Sequence, residues 1–263
     1  MPRFSTPVQN YMSSPVHAVE ANANLSEVYQ KMSTLSISSL AVADENGHSC
    51  GVVTRTDLLR EGRRQAGSRR EAALLTFPKT PVKEFMTADV ATVGPDESIE
   101  QACQIMLENN YHRIYIEAGK KFVGVLSTRD VMHTIAEQRL NKPLSAYMSS
   151  PVFTVRAQEP LSLASERLQK ARVTGLVVMD GDWPVGLFTQ TVALSARELS
   201  QDTPVEEVMD SAMLLLHPEI PLFRAAAQAA AMDVRRVVAW DGGRAIGILT
   251  GLDFARAASL QPA

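Results

Sequence analysis

An α+β fold built from four β-α-β-β-α units is predicted by three observations in the 263-residue sequence. A methionine recurs in matching segments: YMSSPVHAV, FMTADVATV, YMSSPVFTV and VMDSAMLLL. From these methionines, Met12, Met86, Met148 and Met209, a glycine follows after 39, 38, 38 and 38 residues, as Gly51, Gly124, Gly186 and Gly247. Between and beyond these landmarks each copy reads as helix, strand, strand, helix. Self-similarity in a fixed register is the mark of a repeat architecture.

The elements follow in order within each copy. The methionine segment supplies a short first strand. Thirteen residues after the methionines come Leu25, Ile99, Leu161 and Leu222, and twenty after come Met32, Met106, Leu168 and Ala229. Apolar or small residues between them fill the spacing of a helix with one buried face. Asn24 with Glu27 marks one helix start, and Asp96 ahead of Ile99 marks another. β-rich stretches follow, SLAVADE, RIYIEAG, GLVVMDG and RVVAWDG, and then GVVT, GVLS, GLFT and GILT. Asn46-Gly47, Ala118-Gly119, Asp180-Gly181 and Asp241-Gly242 reverse the chain between them as hairpin turns. A second helix closes the copy, as in TDLLREGRR and RDVMHTIAEQ.

A unit of about 55 residues buries too little surface to stand alone, so adjacent copies are expected to pair sheet against sheet. The repeats are placed at 8–62, 82–137, 144–199 and 205–259, in two modules, 8–140 and 144–260, with 63–81 as a linker. The 45% hydrophobic content suffices for these cores. Apolar runs such as AMLLL are too short to span a bilayer, and MPRFSTPVQNYMSS does not read as a secretory signal. A cytoplasmic location is expected. Two cysteines build neither a disulfide framework nor a metal site, and Cys103 falls on an apolar helix stripe. The net charge of −3 points to no particular partner. Residues 60–70 hold five arginines against one glutamate, which reads as a solvated helix end and linker with no aromatic stacking signature for RNA.

A methionine-led strand, a helix, a hairpin ending in Gly-h-h-Ser/Thr-x-x-Asp (h apolar) and a second helix resemble the cystathionine β-synthase domain, the CBS domain. Four copies would form two pseudo-twofold Bateman modules. The resemblance implies a non-catalytic regulatory protein whose paired domains bind AMP, ADP, ATP, S-adenosylmethionine or a related adenosyl ligand, with no required cofactor. It also implies a role such as energy sensing, exercised through a partner protein or a homodimer.

A carboxylate can accept from both hydroxyls of a ribose. Asp57, Asp130 and Asp253 lie six residues after their glycines, with Thr54, Ser127 and Thr250 three residues earlier, at helix starts that favour anions. The same Ser/Thr-x-x-acid pattern is also a helix capping box, and the two roles can coexist. In the third copy Val192 replaces the aspartate while Thr189 keeps the hydroxyl, so that site is expected to be vacant, altered or structural. The resemblance assigns phosphate contacts to the start of the second strand, where the pairs are Ser38-Ser39, His112-Arg113, Thr174-Gly175 and Arg235-Arg236. Only the even copies are cationic there. Arg55 and Arg129 are secondary phosphate candidates. Adenine would lie against Ala18-Val19, Thr92-Val93, Thr154-Val155 and Leu215-Leu216.

No phosphate-binding loop, dinucleotide fingerprint, zinc motif or paired nucleophile and base is present in the sequence, and the five histidines lack metal-ligand spacing. No enzymatic activity and no metal are therefore expected. Two other readings stand beside the sensor: an adaptor with empty clefts that binds protein, and nucleic-acid binding through the arginine-rich linker.

Overall fold

Proline opens every repeat. Pro7, Pro81, Pro143 and Pro204 each precede a single 3-10 turn, at Val8–Asn10, Val82–Glu84, Leu144–Ala146 and Val205–Glu207, whose first residue is buried. A computed structural model describes residues 4–58, 61, 79–196 and 199–259. The greater part of the expected linker, including the arginine-rich stretch apart from Glu61, lies outside the described residues. So does most of the first repeat's second helix, of which residues 55–58 and 61 are helical.

Each repeat forms one three-stranded sheet. The strands are β1 (Ala18–Glu20), β2 (Ser39–Ala43) and β3 (Ser49–Thr54); β4 (Thr92–Val93), β5 (Arg113–Ala118) and β6 (Lys121–Ser127); β7 (Thr154–Arg156), β8 (Gly175–Asp180) and β9 (Trp183–Thr189); β10 (Leu214–Leu216), β11 (Arg236–Asp241) and β12 (Arg244–Thr250). The first strand of each repeat runs parallel to the second. Parallel neighbours need a crossover, and helices Leu25–Thr34, Ile99–Glu108, Leu161–Ala171 and Leu222–Ala231 supply it. They begin at the residues the apolar spacing marks. Asn24 caps the first with Glu27 returning the bond, as expected. The second is capped by Ser98 with Gln101 rather than by Asp96, because the chain turns helical only at Ile99. Asp96 instead accepts from Gln9 Nε2 at 2.9 Å.

The chain divides into two compact units. In the unit Pro7–Glu97 with Ile114–Leu126, Leu25, Val28 and Met32 pack on Leu40, Val42 and Val53. The other face of that sheet joins the second repeat's sheet through Ala41, Val52 and Tyr115, with Phe122 and Val125 beside them. Middle strands are thus buried on both faces, which is why they read as continuous apolar runs. The unit Met1–Thr6, Ser98–Arg113 and Ser127–Ala263 is built likewise. Leu161, Ala164 and Leu168 pack on Leu176, Val178 and Phe188, and Val177, Leu187 and Val238 join the third and fourth sheets. This unit also holds the second repeat's helices, Ile99–Glu108 and Thr128–Glu137. They pack on the fourth repeat's helices, Leu222–Ala231 and Gly251–Ser259.

The spaced methionines and glycines meet across repeats. Met86 of repeat two reaches Gly51 of repeat one and Met12 reaches Gly124; Met148 and Gly247, and Met209 and Gly186, repeat the exchange. Beside each contact the chain forms a two-bond bridge. Val52 N donates to Thr87 O at 2.9 Å and Thr87 N to Val52 O at 2.8 Å; Leu187 and Asp210 do the same at 2.8 and 3.0 Å. Every hairpin is therefore completed by its partner's opening segment. A Cβ at Gly51 would lie 2.6 Å from Met86 Sδ and 2.8 Å from the Thr87 carbonyl, so no other residue fits unshifted. Gly51→Val is expected to cost about 1–3 kcal/mol by overpacking, read as a lower urea midpoint at unchanged m-value.

Candidate ligand-binding site

The third strand of each repeat ends in the hydroxyl residue that starts the following helix, so its cap geometry is set by the backbone turn itself. In repeat two, Asp130 Oδ2 accepts from Ser127 N at 2.7 Å and from Ser127 Oγ at 2.6 Å. In repeat one, Asp57 Oδ2 accepts from Thr54 N and Oγ1 at 2.9 and 2.7 Å. In repeat four, Asp253 Oδ2 accepts from Thr250 N and Oγ1 at 2.7 and 2.8 Å. All three aspartates are caps, with one oxygen spent on each. In repeat three Thr189 Oγ1 accepts from Val192 N at 3.2 Å, and Val192 packs against the apolar cluster. That repeat keeps its cap and has no carboxylate to offer.

The second oxygen distinguishes the copies. Asp253 is buried, and its Oδ1 accepts from Arg256 Nη2 at 2.7 Å and from Ser149 Oγ at 3.5 Å. The same Arg256 nitrogen donates to Tyr147 O at 2.6 Å, anchoring the pair to the start of repeat three. Asp130 is half-buried, and among the described residues nothing donates to its Oδ1. Arg256 was not among the sequence candidates. Its signal is the i, i+3 spacing from Asp253, which puts acid and base on one helix face.

Thr128 N donates to His112 O at 3.1 Å, which stitches the start of the second strand to the start of the helix and sets His112 and Arg113 beside the Asp130 cap. The charge of the second cationic pair reaches His112. His112 feels the charges of Arg236, Arg235 and Arg113. Arg236, on β11, lies over Gly175 of repeat three, its Nε 3.5 Å from where a Cβ would stand, with Asp210 as a favourable charge nearby. The neutral Thr174-Gly175 pair thus makes room for the cation of the partner repeat.

Although its edge is open to solvent, His112 is pushed below the usual histidine range, first by partial burial and then by Arg236, Arg235 and Arg113. Its folded pKa lies below its unfolded value of about 6.5, so the unfolded chain binds its proton more readily. Stability is fully present above that unfolded value and falls as the pH drops through it towards the folded pKa. His112→Gln is expected to reduce the loss of stability between about pH 7.5 and 5.5, measured by urea unfolding at both.

The remaining candidates are placed as follows. Arg129 forms an ion pair with Asp233, and Arg55 Nη2 donates to Ile37 O at 3.3 Å, so both guanidiniums are held by protein acceptors. In the adenine row, Val19, Val93 and Val155 are buried, while Leu215 and Leu216 are half-buried. Ala18 O accepts from Lys31 Nζ at 2.6 Å, Thr154 O from Arg167 Nη1 at 3.3 Å, and Thr92 Oγ1 donates to Glu117 at 3.1 Å. Lys31 and Arg167 stand at the same repeat position, where the even copies have Ile105 and Gln228. The odd copies therefore close a first-strand carbonyl with their own base. Burial pushes the Cys103 thiol up to about 12, consistent with a packing residue. Among the described residues no group of histidine, cysteine and carboxylates could hold a metal, and no helix is long and apolar enough to cross a membrane.

Four copies of one β-α-β-β-α unit, paired through their sheets, define a tandem-repeat protein of two Bateman modules. The family model described as the CBS domain matches residues 8–64, 82–137, 144–198 and 205–260, and the chain belongs to that family. It is similar to an uncharacterized 33.4 kDa protein of Thermofilum pendens, 26% identical over 209 residues, covering 74% of this chain and 65% of that one. A homoserine O-acetyltransferase of Methanohalobium evestigatum is 31% identical over 104 residues, covering 39% of this chain and 21% of the enzyme. The crystal structure of protein MJ1225 of Methanocaldococcus jannaschii, described as a proposed archaeal homologue of g-AMPK, shares the fold. Its TM-score is 0.75 at 18% identity, covering 96% of this chain and 99% of that one.

Proposed function

We propose that this chain is a non-catalytic regulatory protein that binds an adenine nucleotide in its modules, 8–140 and 144–260, with the cradle at Asp130 as its principal site. One observation carries the reading: a carboxylate oxygen with no donor of its own lies beside His112 and Arg113, and the charges of Arg235 and Arg236 reach His112. The carboxylate suits a ribose diol, and the guanidiniums suit phosphate. The helix starting at Thr128 adds free amides and the positive end of its dipole. This charge favours AMP, ADP or ATP over S-adenosylmethionine, whose sulfonium the arginines would repel. Binding changes the relation of the paired repeats only as far as the nucleotide prefers one arrangement, and the change is passed to a partner protein or a second copy. The match to the acetyltransferase covers a minor part of that enzyme and supports no transfer of its activity.

A thermal-shift panel tests this, with AMP, ADP, ATP, S-adenosylmethionine and cyclic dinucleotides on nucleotide-free protein. A ligand at 100 times its Kd stabilises by about 2.7 kcal/mol. Stabilisation by the nucleotides is expected, and silence across the panel would favour the adaptor reading.

A further inference from the structure

The chain has two tryptophans, and both enter one contact at the turn ends of the third and fourth hairpins, whereas the caps lie where β9 and β12 end. Trp183 opens β9 and Trp240 lies near the end of β11; their rings meet edge to face, with centroids 5.1 Å apart and planes at 74°. Trp183 remains 59% exposed. The repeat does not demand this pair. Thirty-five residues after its methionine, where repeat three has Trp183, repeats two and four have Lys121 and Arg244; thirty-one after, where repeat four has Trp240, repeats two and three have Glu117 and Met179. An indole left open at a hairpin edge forgoes the large burial that aromatic side chains give a core.

Acid surrounds it. Asp180 faces Trp183 across the β8–β9 register, Asp182 precedes it, and Asp241 follows Trp240; all three are exposed. Among the described residues, Asp180 and Asp182 have no side-chain partner. Asp241 has His217 Nε2 at 3.5 Å and stands in register with Arg244.

We propose that this hairpin edge is a docking surface for an arginine-rich segment of a partner protein. A guanidinium stacks on the open indole face while its neighbours pair with Asp180 and Asp182. Arginine fits better than lysine because its planar fork serves both the ring and the carboxylates.

Because Trp183 and Trp240 are the chain's only tryptophans, intrinsic fluorescence reads this place alone. Titration of the full chain with hexa-arginine at low salt is expected to change tryptophan emission saturably, with hexalysine binding more weakly and hexaglutamate inert. By anisotropy of labelled hexa-arginine, Trp183→Ala and the double variant Asp180→Asn/Asp182→Asn should each weaken binding about tenfold. Far-UV circular dichroism checks their folding. The proposal fails if emission does not change, if hexalysine binds as well as hexa-arginine, or if either variant binds unchanged. It fails equally if sedimentation shows the wild type self-associating and Trp183→Ala abolishing that, since a second copy would then be the occupant.

Discussion

Asp130→Ala is expected to abolish most of the nucleotide-dependent stabilisation proposed for the second repeat's cradle and to cost about 1 kcal/mol of stability without ligand. The second effect is the lost cap, whose removal carries that typical penalty. The first is larger. A charged acceptor contributes about 1.5–3 kcal/mol per hydrogen bond, and a diol offers two, so a loss in affinity of about 100-fold or more is expected. Asp130→Asn separates the two roles. Its amide oxygen can still accept from Ser127 N and preserve the cap, while the charge and the second acceptor are gone. Thermal unfolding should therefore be near wild type for Asp130→Asn without ligand, and ligand-induced stabilisation should be strongly reduced in both variants. A Ser/Thr-x-x-Asp that was only a cap would lose stability and nothing else.

Arg256→Ala is expected to do the reverse, and to raise the number of nucleotides bound by one. In the wild type both oxygens of Asp253 are accounted for, Oδ2 by Thr250 and Oδ1 by Arg256 and Ser149. A diol would have to displace a charge-assisted bond held at its other end by the Tyr147 carbonyl. Removing the guanidinium leaves a buried carboxylate underpaired, which costs about 1–2 kcal/mol of stability in the absence of ligand. Added nucleotide should restore that loss. Equilibrium dialysis against labelled AMP counts the equivalents directly, and equal counts for the variant and the wild type would show that Arg256 does not guard the site.

The parts of the fold that sequence reasoning reached are those written in local spacing. Leu25 to Met32 and Ile99 to Met106 declare a helix by period. Gly47, Gly119, Gly181 and Gly242 take positive φ at the turns where the sequence places them. Sheet pairing followed from the smallness of one repeat. The reason for the strictest landmark was hidden, because the methionine-to-glycine spacing describes a contact between two copies, Met86 against Gly51, and distance along the chain says nothing of which copy is met. The same holds for the cations: His112 and Arg236 are 124 residues apart, and only the fold brings their charges together. The caps at Thr54, Ser127 and Thr250 were legible as a motif. The inequality among the aspartates was not, since it depends on where one arginine side chain three residues later turns. Val192 was the exception, where a single letter removed the carboxylate from view.

The most direct measurement is calorimetric titration of nucleotide-free wild type and Asp130→Asn with AMP and with 2′,3′-dideoxy-AMP. If the Asp130 carboxylate accepts from the ribose diol, the dideoxy compound binds the wild type more weakly by about 10–100-fold, and that gap closes in Asp130→Asn. Equal affinity of the two ligands for the wild type, or no binding of AMP at all, would contradict the account.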